Sequence, residues 1–279
     1  MMAFSKPLCK FLTLLVFFSS LSAKASDTVA KPSVIKGTHF AAKVFAPTSQ
    51  TEATPIVIVL GGSSGGMREN HAQTLADNGF IGVALAYFRY PGLPDTLDNI
   101  PVASVSDAID KLATQYDSAQ FGILGISRGT ELAFLAAIND ERINAVAAIV
   151  PTNVAWHGQR ESSAWKLNGA PVFGLSFERR SQKPIFERAS EALLNDDLVT
   201  KAQFPVEKIT GNILLLSASA DRIWPSAAMS EDMLKYLQSK GFKYSVSHRV
   251  LDTGHRFNEE VMGKAYLLTA EHFKLTLTR

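Results

Sequence analysis

From Pro55 to Val250 the chain repeats one pattern, a short apolar run rich in β-branched residues followed by an amphipathic stretch. The runs are PIVIVL at 55–60, IGVALA at 81–86, FGILGI at 121–126, AVAAIV at 145–150, NILLLSAS at 212–219 and KYSVSHRV at 243–250. Most are apolar at successive positions, so both faces need cover, which a strand finds in a parallel sheet beneath helices. Helical periodicity fills the gaps at about 69–78, 102–116, 128–139, 226–240 and 258–275. The pattern predicts an α/β fold with a doubly wound, mostly parallel sheet. Before Pro55, VIKGTHFAAKVFAP at 34–47 reads as one or two antiparallel edge strands.

Residues 1–25 stand outside this rhythm. Lys6 and Lys10 precede the apolar stretch FLTLLVFF, and Ala23-Lys24-Ala25 offers a small-residue cleavage site before Ser26. That is the layout of a secretory signal peptide, with an apolar part too short to span a membrane. The mature chain, 26–279, is expected to be a single domain exported to a periplasm or secreted. Cleavage removes three lysines and no acid, lowering the formal net charge from +2 to −1, so no electrostatic case for nucleic acid remains. It also removes Cys9, the only cysteine, and with it any disulfide, thiolate nucleophile or cysteine metal site. No metal-ligand cluster, phosphate loop or nucleotide fingerprint is visible, so neither metal nor cofactor is expected.

Two serines sit in a G-x-S-x-G pattern, Ser64 in GGSSGG at 61–66 and Ser127 in GISRG at 125–129. A nucleophile elbow needs a buried strand, a sharp turn flanked by glycines and a helix that starts at once. Ser127 has all three, with FGILGI before it and TELAFLAAI after it. Ser64 is followed by glycines and then by Met67, Arg68, Glu69 and Asn70, which gives no immediate helix, so it is read as a decoy. In an α/β-hydrolase the acid and the histidine follow the serine at the ends of later strands. Asp221 follows NILLLSAS and His255 follows the last strand, giving the catalytic order Ser127, Asp221, His255; Asp252 is the alternative acid. The oxyanion donors expected are the backbone N–H groups of Arg128 and Ser63.

About sixty residues, Pro151 to Gly211, separate two successive strand candidates and carry Trp156, Trp165, Phe173, Phe177, Phe186 and Phe204. A connection that long carries its own structure, and it is read as a lid-like insertion over the site. Gly62, Trp156, Trp165 and Trp224 are the candidate substrate-binding residues, with core packing as the alternative for the lid aromatics.

The blocks GGSSGG, ALAYFRYPGLPDTLDNIPV, GILGISRGTELAFLAA and FPVEKITGNILLLSASADRIWPS resemble the catalytic domain of the acyl-CoA thioesterase and bile acid-CoA:amino acid N-acyltransferase family, over roughly residues 55–275. The resemblance implies the α/β-hydrolase fold and the Ser127, Asp221, His255 triad. In that family the elbow carries serine in thioesterases and cysteine in amino-acid conjugating enzymes. Serine at 127 therefore implies hydrolysis of an acyl thioester with water as acceptor. The partner expected is a small acyl thioester or ester. Typical members also carry an N-terminal β-sandwich domain, which is expected to be missing here because only about thirty residues separate Ser26 from the first core strand. Export away from acyl-CoA shifts the expected natural substrate towards an ester, another thioester or an amide.

Overall fold

The computed structural model describes residues 29–278, except 117–119, 161 and 179. The signal peptide expected at 1–25 lies outside the described residues. Among those that are described, no helix is long and apolar enough to cross a membrane.

Eight strands form the main sheet: β1 Ser33–Lys36, β2 Ala41–Phe45, β3 Ile56–Leu60, β4 Ile81–Ala86, β5 Phe121–Ile126, β6 Ile143–Ile149, β7 Asn212–Ala218 and β8 Val246–Leu251. Their spatial order is β1-β2-β4-β3-β5-β6-β7-β8. β2 pairs antiparallel with both β1 and β4, and every other pairing is parallel. The helices are α1 Glu69–Asp77, α2 Ala103–Ala113, α3 Arg128–Asn139, α4 Ile185–Ala192, α5 Asp196–Ala202, α6 Ser226–Ser239 and α7 Glu259–Leu277.

Successive residues of a strand point to opposite faces, and here both faces are buried. Ile56, Ile58 and Leu60 of β3 enter one core layer with residues of α2, α3 and α6. Val57 and Val59 enter the other with residues of α1 and α7. β6 divides in the same way, Val146 and Ala148 to the first layer, Ala145, Ala147 and Ile149 to the second. This is the physical reason for the unbroken apolar runs, since full burial of such a side chain stabilises by about 1.5–3 kcal/mol.

The boundaries differ from the sequence expectation at particular places. β6 starts two residues earlier, because Ile143 is fully buried beside Phe121. β8 covers 246–251 rather than 243–250. Ser245 instead donates its N–H to Asn212 Oδ1 at 2.8 Å and accepts from Ile213 N at 2.9 Å, so pairing with β7 begins only at Val246.

Residues 151–211 carry structure of their own. Trp165–Leu167 and Ala170–Pro171 form a small ribbon that pairs with Ile100–Pro101, followed by α4, α5 and a single 3₁₀ turn at Val206–Lys208. Trp165 and Phe204 are buried in the main core and Phe173 is partly exposed, so the aromatics of this segment do not share one role.

Candidate active site

Ser127 stands between β5 and α3 with φ 54° and ψ −123°, a left-handed backbone that a residue with a Cβ adopts only under constraint. Its N–H donates to Ile149 O at 2.9 Å, and its own carbonyl accepts from Thr130 N at 2.9 Å and Thr130 Oγ1 at 2.8 Å. The flanking glycines allow the turn to close. A Cβ on Gly125 would lie 2.6 Å from Gly129 O, and one on Gly129 would lie 2.5 Å from Gly61 O.

Asp221 lies just beyond β7 and His255 just beyond β8, on the same edge of the sheet as Ser127. Ser127 Oγ is 2.9 Å from His255 Nε2, and His255 Nδ1 is 2.9 Å from both oxygens of Asp221. A carboxylate only accepts, so Nδ1 carries the proton and Nε2 offers its lone pair to the serine hydroxyl. The Asp221 side chain is 2% exposed and that of His255 14%. Backbone N–H groups of Ile223 (2.9 Å) and Trp224 (3.3 Å) also donate to Asp221 Oδ1 and fix its orientation. The Trp224 ring meets the imidazole edge-on, 4.9 Å between centroids.

The 61–66 loop lies against this elbow. A Cβ on Gly62 would sit 3.0 Å from Ser127 Cβ and from Ile126 O, so only glycine lets the loop approach this closely. The Tyr87 hydroxyl donates to Gly61 O and Gln159 Nε2 donates to Ser63 O at 2.9 Å, pinning the loop backbone on both sides of Gly62. Ser63 and Arg128 both line the cavity above Ser127. As the first residue of α3, Arg128 has an amide without an intrahelical acceptor by position.

A family model, BAAT / Acyl-CoA thioester hydrolase C terminal, matches residues 106–259, which hold Ser127, Asp221 and His255. The chain belongs to this family. It is 30% identical over 206 residues to acyl-coenzyme A thioesterase 5 of Mus musculus, covering 72% of this chain and 48% of that protein. Acyl-coenzyme A thioesterase 3 of Mus musculus is 30% identical over 219 residues, 77% of this chain and 50% of the relative. The chain thus spans about half the length of the curated relatives it matches. Among solved structures, an acylaminoacyl peptidase of Pyrococcus horikoshii superposes with a TM-score of 0.61 at 16% identity over 90% of this chain and 43% of its own, a likeness of fold. The fold is that of the α/β-hydrolases.

The rival residues of this family member have other partners, although Ser64 also lines the cavity. Ser64 Oγ accepts from Arg68, and Asp252 accepts from Ser219 Oγ at 3.0 Å instead of meeting His255. His248 bonds Ser217 Oγ at 2.7 Å and His157 bonds Gly158 O. His71 lines the cavity, with burial first and Arg68 second holding its pKa down to about 4, so it stays neutral near pH 7.

The cavity has a volume of about 670 Å³, the size of a small-ligand site. Gly62, Trp156 and Trp224 line it as expected. Trp165 does not. It is fully buried, its indole N–H donates to Glu131 Oε2 at 2.8 Å and its ring lies 5.7 Å from that of Tyr87, so it is a core residue. The sequence reading also missed the apolar wall, Phe177, Ile185 and Ala189 from the insertion with Ile223, Phe257 and Met262, and three arginines, Arg68, Arg222 and Arg256. Adjacency to Asp221 and His255 was a usable signal for Arg222, Ile223, Arg256 and Phe257. A wider groove of about 930 Å³, lined by Phe173, Glu178 and Lys201 among others, shares Phe177 with the cavity but holds no residue of the relay. No group of three His, Cys, Asp or Glu side chains able to hold a metal ion occurs among the described residues.

Buried Glu131 is a further residue that periodicity hid. Its carboxylate pairs with Arg128 and accepts from Trp156 N at 3.1 Å as well as from Trp165. The Arg128 guanidinium donates to the carbonyls of Trp156 and His157, both at 3.0 Å. This pair ties the first turn of the helix below Ser127 to the start of the insertion. Burial pushes the Glu131 carboxyl above its ordinary range, and Arg128 opposes that shift.

Proposed function

We propose that this protein hydrolyses acyl thioesters or carboxylic esters through an acyl-serine intermediate. The observation that carries the reading is the unbroken relay from Ser127 Oγ through His255 to Asp221, at the floor of a cavity that an acyl group fits. Ser127 Oγ attacks the substrate carbonyl as its proton passes to His255 Nε2, and Asp221 stabilises the imidazolium that forms. The N–H groups of Arg128 and Ser63 hold the developing oxyanion. The tetrahedral intermediate collapses, and His255 returns the proton to the departing thiolate or alkoxide. A water, deprotonated by His255, then attacks the acyl-serine, releasing the acid and restoring the hydroxyl.

Relatives named acyl-coenzyme A thioesterases support the thioester half of this reading. The layout of residues 1–25 supports an exported location, and there the natural substrate would be an ester or a thioester other than acyl-CoA. Residues 151–211 act as the lid, since Phe177, Ile185 and Ala189 line the cavity that also holds Ser127.

The test is steady-state hydrolysis of acyl-CoAs and matched p-nitrophenyl esters of several chain lengths. Ser127→Ala is expected to lower kcat by about 10⁴-fold or more, and Ser64→Ala by far less. Equal losses in the two variants, or no turnover of any acyl donor by the parent protein, would refute the mechanism. Fractionation of cells expressing the full chain, with the mature N-terminus sequenced, tests export; an intact Met1 retained in the cytosol would refute it.

A further inference from the structure

The cavity beside Ser127 is lined by Arg68, Arg222 and Arg256, and no carboxylate lines it. Several other basic side chains of the fold are matched. Arg128 is held by Glu131, Arg142 by Asp140 and Asp110, and Lys43 by Glu69. None of the three cavity arginines has an ion-pair partner among the described residues. The two acids directly adjacent to them in sequence are engaged elsewhere, Asp221 by His255 and two backbone amides and Glu69 by Lys43. A neutral acyl chain gives no reason to gather three unmatched positive charges at one opening, because like charges brought together repel.

The placement of the three is specific. Arg222 and Arg256 directly follow the two relay residues, so their Cα atoms lie about 3.8 Å from those of Asp221 and His255. Arg222 also lies over the Phe186 ring, 6.0 Å from its centroid. Arg68 arrives from the opposite wall. Its guanidinium donates to Ser64 Oγ, and a Cβ on Gly61 would lie 2.9 Å from its Nε, so the glycine loop leaves the channel this side chain occupies. Ser64 thereby acquires a role that its G-x-S-x-G match concealed, positioning Arg68.

Resting on the hydrolase reading above, we infer that Arg68, Arg222 and Arg256 form an anion-binding rim, and that the substrate carries a carboxylate or phosphate group within a few bonds of the carbonyl that Ser127 attacks. The reach of the rim sets this distance. In a coenzyme A thioester a long pantetheine arm separates the sulfur from the first phosphate, whereas these guanidinium groups are one arginine side chain away from the relay. Arg222 and Arg256 are exposed, so each contributes modestly in water and the rim acts through three converging charges. His71, which lines the same cavity, stays neutral and adds no further charge near pH 7.

The test uses the full chain with Ser127→Ala, which binds without turnover, and follows quenching of the cavity tryptophans Trp156 and Trp224. Monoethyl glutarate is expected to bind about 10-fold or more tightly than diethyl glutarate, a difference of about 1.4 kcal/mol. Adding Arg68→Gln, Arg222→Gln and Arg256→Gln should bring the two to within about 2-fold, and raising the salt should narrow the gap in the parent by screening. Competition by inorganic phosphate assigns a phosphate-bearing substrate; retained glutarate preference without it assigns a carboxylate. Equal affinity for charged and neutral esters, or a charge preference that survives the triple variant, overturns the inference. So does a coenzyme A thioester that depends on the three arginines as strongly as monoethyl glutarate does. Far-ultraviolet circular dichroism of the triple variant checks its fold, and Arg222→Gln alone gives a milder form of the same comparison. Because the readout is binding, a rim that fails here leaves the hydrolytic reading intact, and a protein that proves inert in turnover can still reveal the rim.

Discussion

At the scale of single residues, the acid of the relay is decided by a contact that chain order alone leaves open. Asp221 and Asp252 both lie near His255 in sequence order, yet only Asp221 reaches Nδ1, while Asp252 caps Ser219. Asp221→Asn should therefore lower kcat by about 10⁴-fold, because an amide facing Nδ1 favours the wrong imidazole tautomer. Asp252→Asn should stay within about 2-fold in the same ester assay. A larger loss from Asp252→Asn would reassign the acid. Ser127 and Asp221 were legible because each follows a strand whose apolar run is unmistakable, and the end of a strand fixes where the next residue stands; His255 was legible from its Gly-His turn after the last strand pattern. Trp165 was not, because whether its ring faces the cavity or Glu131 depends on the path of the ribbon that carries it. The arginine rim was equally hidden, since Arg68 shares a cavity with the other two only after β3 and β5 to β8 have joined in one sheet.

At the scale of elements, α3 links chemistry to cover. Its residues from Arg128 to Ala137 are all buried, between the sheet and the insertion, and Glu131 is the one acid among them. Glu131→Ala would leave the Arg128 guanidinium without its buried partner and the amide of Trp156 and the indole of Trp165 without their acceptor. Loss of about 3–5 kcal/mol in urea unfolding is expected, with faster proteolysis within 151–211. Glu131→Gln, which keeps an oxygen for both tryptophans, should lose less. Equal stability of all three proteins would mean that the clamp does not hold the insertion. If the insertion is a lid, phosphonylation of Ser127 by a fluorophosphonate, with loss of fluoride, should slow that proteolysis. The sequence located α3 and β5 to the residue because strong burial runs through both. It misjudged β8 because exposure along that edge strand blurs the pattern, and it could not resolve α4 and α5, whose few buried residues give short, weak periodicity.

At the scale of the whole molecule, acid should weaken one face of the sheet before the other. His71 on α1 and His272 on α7 are both held to a pKa of about 4, chiefly by burial. The unfolded chain takes up those protons near pH 6.5, which the folded chain refuses until about pH 4. Their contribution is thus complete above pH 6.5 and is lost as the pH falls towards 4, amounting to roughly 3 kcal/mol each at most. Midpoints of urea unfolding between pH 7 and 4 should fall accordingly, and His272→Gln should flatten the curve; an unchanged slope in that variant would place the acid sensitivity elsewhere. The sheet order also governs when the relay can form. Ser127 and His255 are 128 residues apart, and β6, β7 and β8 must join in turn before they meet. On the ribosome Ser127 therefore emerges well before its histidine partner, and the nascent polypeptide can close the relay only once β8 has been made and docks.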